Sequence, residues 1–163
     1  MYYNMPPELI TALTRNSLPE THPELPPIWL TKPELLEKMQ LGYRIHGITD
    51  EDLTGSADGD WQPDWYVIGE GLCGDPLFVD ISEKEQGFPV YTAQHGAGRW
   101  DAVKAANSIA AFVEIIRLLN EAVEDDITDT EGFFSKIECF TDDLAMWEEC
   151  LEGIIEARNE DDY

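Results

Sequence analysis

The residues that could carry chemistry are few and scattered. The histidines are His22, His46 and His95, and no His-x-x-x-His or Cys-x-x-Cys spacing joins them to Cys73, Cys139 or Cys150 as a zinc site requires. His95 stands out because it ends a candidate strand and opens His95-Gly96-Ala97-Gly98. An imidazole at a strand end can serve as a base, and it can equally be a hydrogen-bonded structural group. Ser17, Ser56, Ser82, Ser108 and Ser135 all lie outside a Gly-x-Ser-x-Gly elbow. Gly69-Glu70-Gly71-Leu72-Cys73-Gly74 fits Gly-x-Gly-x-x-Gly, but Asp75-Pro76 and another β-type run follow it. No helix N-terminus is there to hold a pyrophosphate, and Glu70 and Asp75 would repel one, so the segment reads as a strand-to-strand turn. Asp50-x-Asp52-x-Thr54-Gly55-Ser56-x-Asp58 fits the opening of a calcium-binding loop, yet the twelfth position, a bidentate Glu in such loops, is Trp61. Asp50–Asp60 is therefore expected to be a solvated acidic loop. No catalytic residue, metal ligand or cofactor is assigned.

Charge is the strongest global signal. The 163 residues carry 34 Asp and Glu against 10 Lys and Arg, a formal net charge of -24. Such a surface repels phosphate backbones, which argues against nucleic acid or an anionic membrane as partner and favours cations or a basic protein. Residues 114–163 hold 17 acidic and 3 basic side chains, so the C-terminal third is the most acidic part. At 43% hydrophobic and 10% aromatic residues the chain can build a core, and its length suits one domain, 1–163. Cys73, Cys139 and Cys150, odd in number and widely spaced, predict free thiols in a reducing compartment. The first seven residues have neither a basic nor an apolar stretch, so no leader is read there, and a cytoplasmic protein is expected.

Elements must position these residues. Pro6 and Pro7 followed by Leu9, Ile10 and Leu13 predict an amphipathic helix over 6–16. Pro19, Pro23, Pro26 and Pro27 predict an extended connector, and Thr31 with Pro33 predicts a second helix closed by Gly42. Tyr43–Ile48 is a short candidate strand, and an Asp-, Gly- and Ser-rich loop runs from Thr49 to Pro63. Trp65–Ile68, Leu77–Ile81 and Pro89–Ala93 predict an antiparallel meander, with Trp100–Ala105 as an edge strand. Ile109, Phe112, Val113, Ile116, Leu119 and Val123 form the stripe of a helix capped by Ser108. A shorter element over Thr128–Phe140 opens with a capping-box pattern at Thr128 and Glu131. A last helix begins near Thr141, with Leu144, Trp147, Leu151, Ile154 and Ile155 facing inward.

The ordered set Trp65-Tyr66-Val67-Ile68-Gly69, Gly74-Asp75-Pro76-Leu77-Phe78-Val79-Asp80, Pro89-Val90-Tyr91, His95-Gly96 and Ala106–Phe112 resembles the SUKH superfamily. That group includes fungal cell-wall-assembly regulators of the Smi/Knr type and many bacterial immunity proteins. The resemblance spans about residues 60–120, and 121–163 form an acidic helical extension past the family's usual end. It implies an α+β fold, a central mostly antiparallel sheet with helices packed on one face. It also implies a non-enzymatic protein that binds and neutralises a cognate toxin, for instance a nuclease, by occlusion. The partner is then a basic polymorphic-toxin domain, and the chain a monomer or weak homodimer. Trp65, Glu70, Asp75, Asp80, His95 and Trp100 are the candidate partner-binding residues. Two other readings stand beside it: a regulatory scaffold for several host proteins, and a small-ligand binder or hydrolase centred on His95.

Overall fold

The computed structural model describes residues 5–96, 98–125 and 129–161, apart from the side chains of His95 and Asp161. Helix α1 (Pro7–Arg15) carries a proline in its first turn, where a missing N–H breaks no helical bond. Leu9 and Leu13 are buried; Ile10, expected to face inward, is 36% exposed. It lies about 100° around the helix from Leu9, off the buried stripe.

The proline-rich connector leads into a strand that its composition conceals. β1 (Trp29–Leu30) pairs antiparallel with β2 (Trp65–Glu70), Trp29 opposite Glu70 and Leu30 opposite Gly69. Thr31 donates its N–H to the Ile68 carbonyl at 2.7 Å and so stays with the sheet instead of capping a helix. The helix expected from Thr31 to Gly42 shrinks to a tight turn at Pro33–Leu35 and a single turn, α2 (Leu36–Met39). The strand expected at Tyr43–Ile48 is absent. The Gln40 carbonyl accepts from the amides of Tyr43, Arg44 and Ile45, which winds the segment into turns with isolated bridges to Leu41 and Asp52.

The meander and its edge strand are present as expected. β2 is followed by β3 (Pro76–Asp80), β4 (Val90–Gly96) and β5 (Arg99–Ala106), giving an antiparallel sheet in the order β1-β2-β3-β4-β5. Side chains alternate across it: Leu77, Val79 and Val90 enter the larger core, whereas Val67, Phe78 and Ala93 enter a smaller one. The larger core is closed by α3 (Ile109–Asp125), α4 (Thr130–Ile137) and α5 (Ala145–Asp161), together with α1.

Ser108 Oγ accepts the Ala111 N–H at 3.0 Å and starts α3, whose Ile109, Phe112, Ile115, Ile116 and Leu119 are fully buried. Asp129 caps α4 through the Gly132 N–H at 3.0 Å; Thr128 lies outside the described residues. In α5 Met146, Trp147, Cys150, Leu151 and Ile154 are buried, with Leu144 and Ile155 packed alongside. The result is an α+β fold with helices on one face of the sheet. Among the described residues no helix is long and apolar enough to cross a membrane.

Candidate functional site

The six candidate residues fall in separate places. Trp65 and Trp100 come together on the face of the sheet opposite α3, α4 and α5, around a third tryptophan, Trp61, with Met39 of α2 packed alongside. Trp61 lies 5.3 Å, ring centre to ring centre, from each of them and 4.8 Å from Phe78, and Tyr43 and Tyr91 complete the cluster. Trp61 is 2% exposed and donates its indole N–H to the Trp65 carbonyl at 3.2 Å, while Trp65 and Trp100 stay half-buried. Its position in an Asp- and Gly-rich loop hid this role; the only signal was a large apolar residue where a solvated loop needs none.

Asp80 is spoken for. Its Oδ1 accepts from the Ser82 amide at 2.9 Å and the Ser82 hydroxyl at 2.6 Å, an Asx turn that closes β3. Glu70 and Asp75 stand at the opposite end of the β2–β3 hairpin, both half-buried. Burial pushes the Tyr43 phenol up, and the charges of Glu70 and Asp75 push it further, so both acids lie within electrostatic reach of the aromatic face. The His95 backbone pairs with Trp100 in the β4–β5 hairpin; its side chain lies outside the described residues.

Asp75 also belongs to an arrangement that spacing does not reveal. Two grooves, of about 460 and 280 Å³, flank α5 and share Leu72 and Glu149, which makes them one furrow. One groove is walled by Leu25, Leu72, Ile154 and Cys150 with Glu24, Glu152 and Glu156. The other lies between the β4–β5 strands and the start of α5, with Asp75 and Asp101 in its lining. Among the described residues no Lys, Arg or His lines either. Two of the acids are already matched: Glu24 by Arg158 at 2.6 Å and Asp101 by Arg99 at 2.8 Å. Arg158 accordingly holds the Glu24 carboxyl below its usual range. Asp75, Glu149, Glu152 and Glu156 have no ion pair among the described residues. Burial raises the Asp75 carboxyl, and repulsion from Glu149 raises it again. The Cys150 thiol beneath the furrow is pushed up to about 12 by burial and then by Glu149, so it stays a protonated core group.

The other motifs are consumed locally. At Gly69 a Cβ would stand 2.0 Å from the Trp29 carbonyl oxygen, so this glycine admits β1 rather than a phosphate. Cys73 and Gly74 take left-handed φ values of 55° and 75° and turn the chain into β3. In the acidic loop Asp52 binds the Thr54 amide and hydroxyl, Asp60 the Ala57 amide, and Asp58 Arg99. These carboxylates serve separate partners, and no group of acids, His and Cys that could hold a metal ion occurs among the described residues. His22 Nδ1 accepts the Glu24 amide and its own amide binds Asn120 Oδ1, while His46 Nδ1 accepts from Ile48 and Thr49. Both histidines shape turns. Comparison with protein-family models, with curated proteins and with solved structures finds no match.

Proposed function

We propose that the chain is a non-enzymatic, immunity-type protein that binds a basic protein partner and neutralises it by occlusion, with the furrow along α5 as its contact surface. The observation that carries this reading is the unmatched charge of Asp75 beside Glu149. Burial and like charge both oppose ionisation of Asp75, and no ion pair among the described residues offsets them. A cationic side chain arriving from a partner would relieve that repulsion, and carboxylates aligned along an apolar-floored groove suit lysines or arginines of a nucleic-acid-cleaving domain. The net charge of -24 adds long-range steering. The SUKH-like order of motifs supports the same reading independently of the furrow.

The test is capture of partners from a lysate of the protein's own source on the immobilised chain, washed at ~0.1 M and ~1 M salt. The D75N/E149Q/E152Q/E156Q variant runs in parallel. One basic protein held near one-to-one at both salts, and bound with an association rate about tenfold slower by the variant, is the expected result. Many partners lost in salt would favour the scaffold, and a single partner indifferent to the variant would remove the furrow from the interface.

A further inference from the structure

A second surface has the opposite chemistry. β1 is the outer strand of the sheet, and among the described residues only β2 pairs with it. The N–H of Thr31 points at β2, as its bond to Ile68 shows, so by strand alternation the N–H and C=O of Leu30 point to the open edge. Along that edge runs an apolar groove of about 360 Å³ lined by Trp29, Leu30, Leu35 and Met39 with Lys32 and Lys38. Trp29 and Leu35 are 39% and 43% exposed, large apolar surface left in water. A second depression of about 670 Å³, reaching to the end of α1 and lined also by Glu20 and Glu34, shares Trp29, Leu30, Thr31 and Lys32, so the strand edge is open on both sides. The groove that bears both lysines, with no acid among the described residues of its lining, is the one that suits a carboxylate.

Charge selects the occupant. Carboxylates outnumber basic groups 34 to 10, and most basic side chains are tied to an acid or, for Arg44, to carbonyls and the Tyr66 ring. Lys32 and Lys38 are both exposed and have no ion pair among the described residues. Edge strands are often guarded by lysine, but a guard does not need a neighbouring tryptophan and leucine left bare. A second copy of this chain would bring another -24 to the contact. We infer that the β1 edge is a docking site for an extended acidic-apolar segment of a partner protein. The segment adds as a sixth strand through the Leu30 main chain, sets an apolar residue against Trp29 and Leu35, and places carboxylates on Lys32 and Lys38.

The probe is a peptide of about ten residues alternating Val or Phe with Glu, compared with its Lys counterpart and with the Glu peptide N-methylated on alternate amides. Amide NMR shifts read the site. The Glu peptide should move and saturate the Leu30 resonance, and N-methylation should abolish the shift. K32E/K38E should weaken binding at least about tenfold, with K32A/K38A intermediate and both variants still unfolding in a single cooperative transition. The D75N/E149Q/E152Q/E156Q variant should bind the Glu peptide as the parent does, so this site and the furrow stand or fall separately. No shift at Leu30, equal binding of the Lys peptide, or a shift produced by protein concentration alone would overturn the inference.

Discussion

At the scale of single residues, Gln40 shows how a polar side chain can complete a sheet. It is fully buried, donates through Nε2 to the carbonyls of Leu36 and Val67 at 2.8 and 2.9 Å, and accepts the Val67 N–H on Oε1 at 2.9 Å. Its carboxamide thus pairs with Val67 where the β2–β3 register shifts and β1 has already ended. Gln40→Leu would leave both Val67 groups unpaired in the core and cost about 2–4 kcal/mol, measured by urea unfolding. Gln40→Glu should be destabilised too, but part of its loss should return as pH falls and the carboxyl regains a donor proton. Asp75 predicts the reverse. Its carboxyl is raised in the folded protein, so folding disfavours its ionised form above the ordinary carboxylate range. Asp75→Asn should melt higher than the parent near neutral pH, with the gain shrinking as pH falls toward that range, while partner binding weakens. A lower melting temperature at neutral pH would show that Asp75 is satisfied within the fold. Neither role is readable from spacing: Gln40 meets Val67 and Asp75 meets Glu149 only after the chain has folded.

At the scale of elements, legibility followed the strength of local pattern. The stripe from Ile109 to Val123 and the β-runs at Trp65, Leu77 and Pro89 announced α3 and the meander because period and burial agree along them. β1 failed to announce itself because it is two residues long and bounded by prolines, and it exists only through pairing with Glu70 and Gly69. The longer helix and the strand that the pattern predicts over residues 31–48 do not form, because Thr31 stays hydrogen-bonded to the sheet and the Gln40 carbonyl gathers the amides of Tyr43, Arg44 and Ile45. The acidic C-terminal segment carries the most consequence. Trp147, on the face that its apolar spacing turns inward, is fully buried, donates its indole N–H to the Ala105 carbonyl at 2.8 Å, and lies 5.7 Å from the Phe112 ring. α5 is therefore a wall of the core, and its carboxylates are held in place by it. Trp147→Ala should cost about 3–5 kcal/mol. Trp147→Phe keeps most of the packing but orphans the Ala105 carbonyl, at about 1–3 kcal/mol. Chemical denaturation measures both, and a near-neutral Trp147→Ala would mean that α5 docks only loosely.

At the scale of the whole molecule, one charge distribution has two consequences of opposite sign. A net charge of -24 on 163 residues repels itself most strongly when the chain is compact, and 10 basic side chains cannot offset 34 acids. The ion pairs present are mostly exposed and each adds little: Lys84–Glu8 spans 3.7 Å and Lys104–Asp142 3.4 Å, with Glu8 and Asp142 in open solvent. Raising salt from ~0.01 M to ~0.2 M shortens the screening length from about 30 Å to under 10 Å, which removes repulsion between distant carboxylates before it weakens contacts inside the furrow. The free protein should therefore melt several degrees higher over that range, most of the gain falling below ~0.1 M, since about 1 kcal/mol moves the midpoint of a chain this size by about 2–4 °C. Association with a basic partner should slow over the same range, because steering depends on the field that salt removes. Scanning calorimetry of the free chain and stopped-flow association in the same buffers would place both trends on one axis. If the midpoint instead fell with salt, the exposed ion pairs would outweigh self-repulsion. The excess acid would then be structural, and the furrow would lose its claim to be a surface held at a cost until a cation arrives.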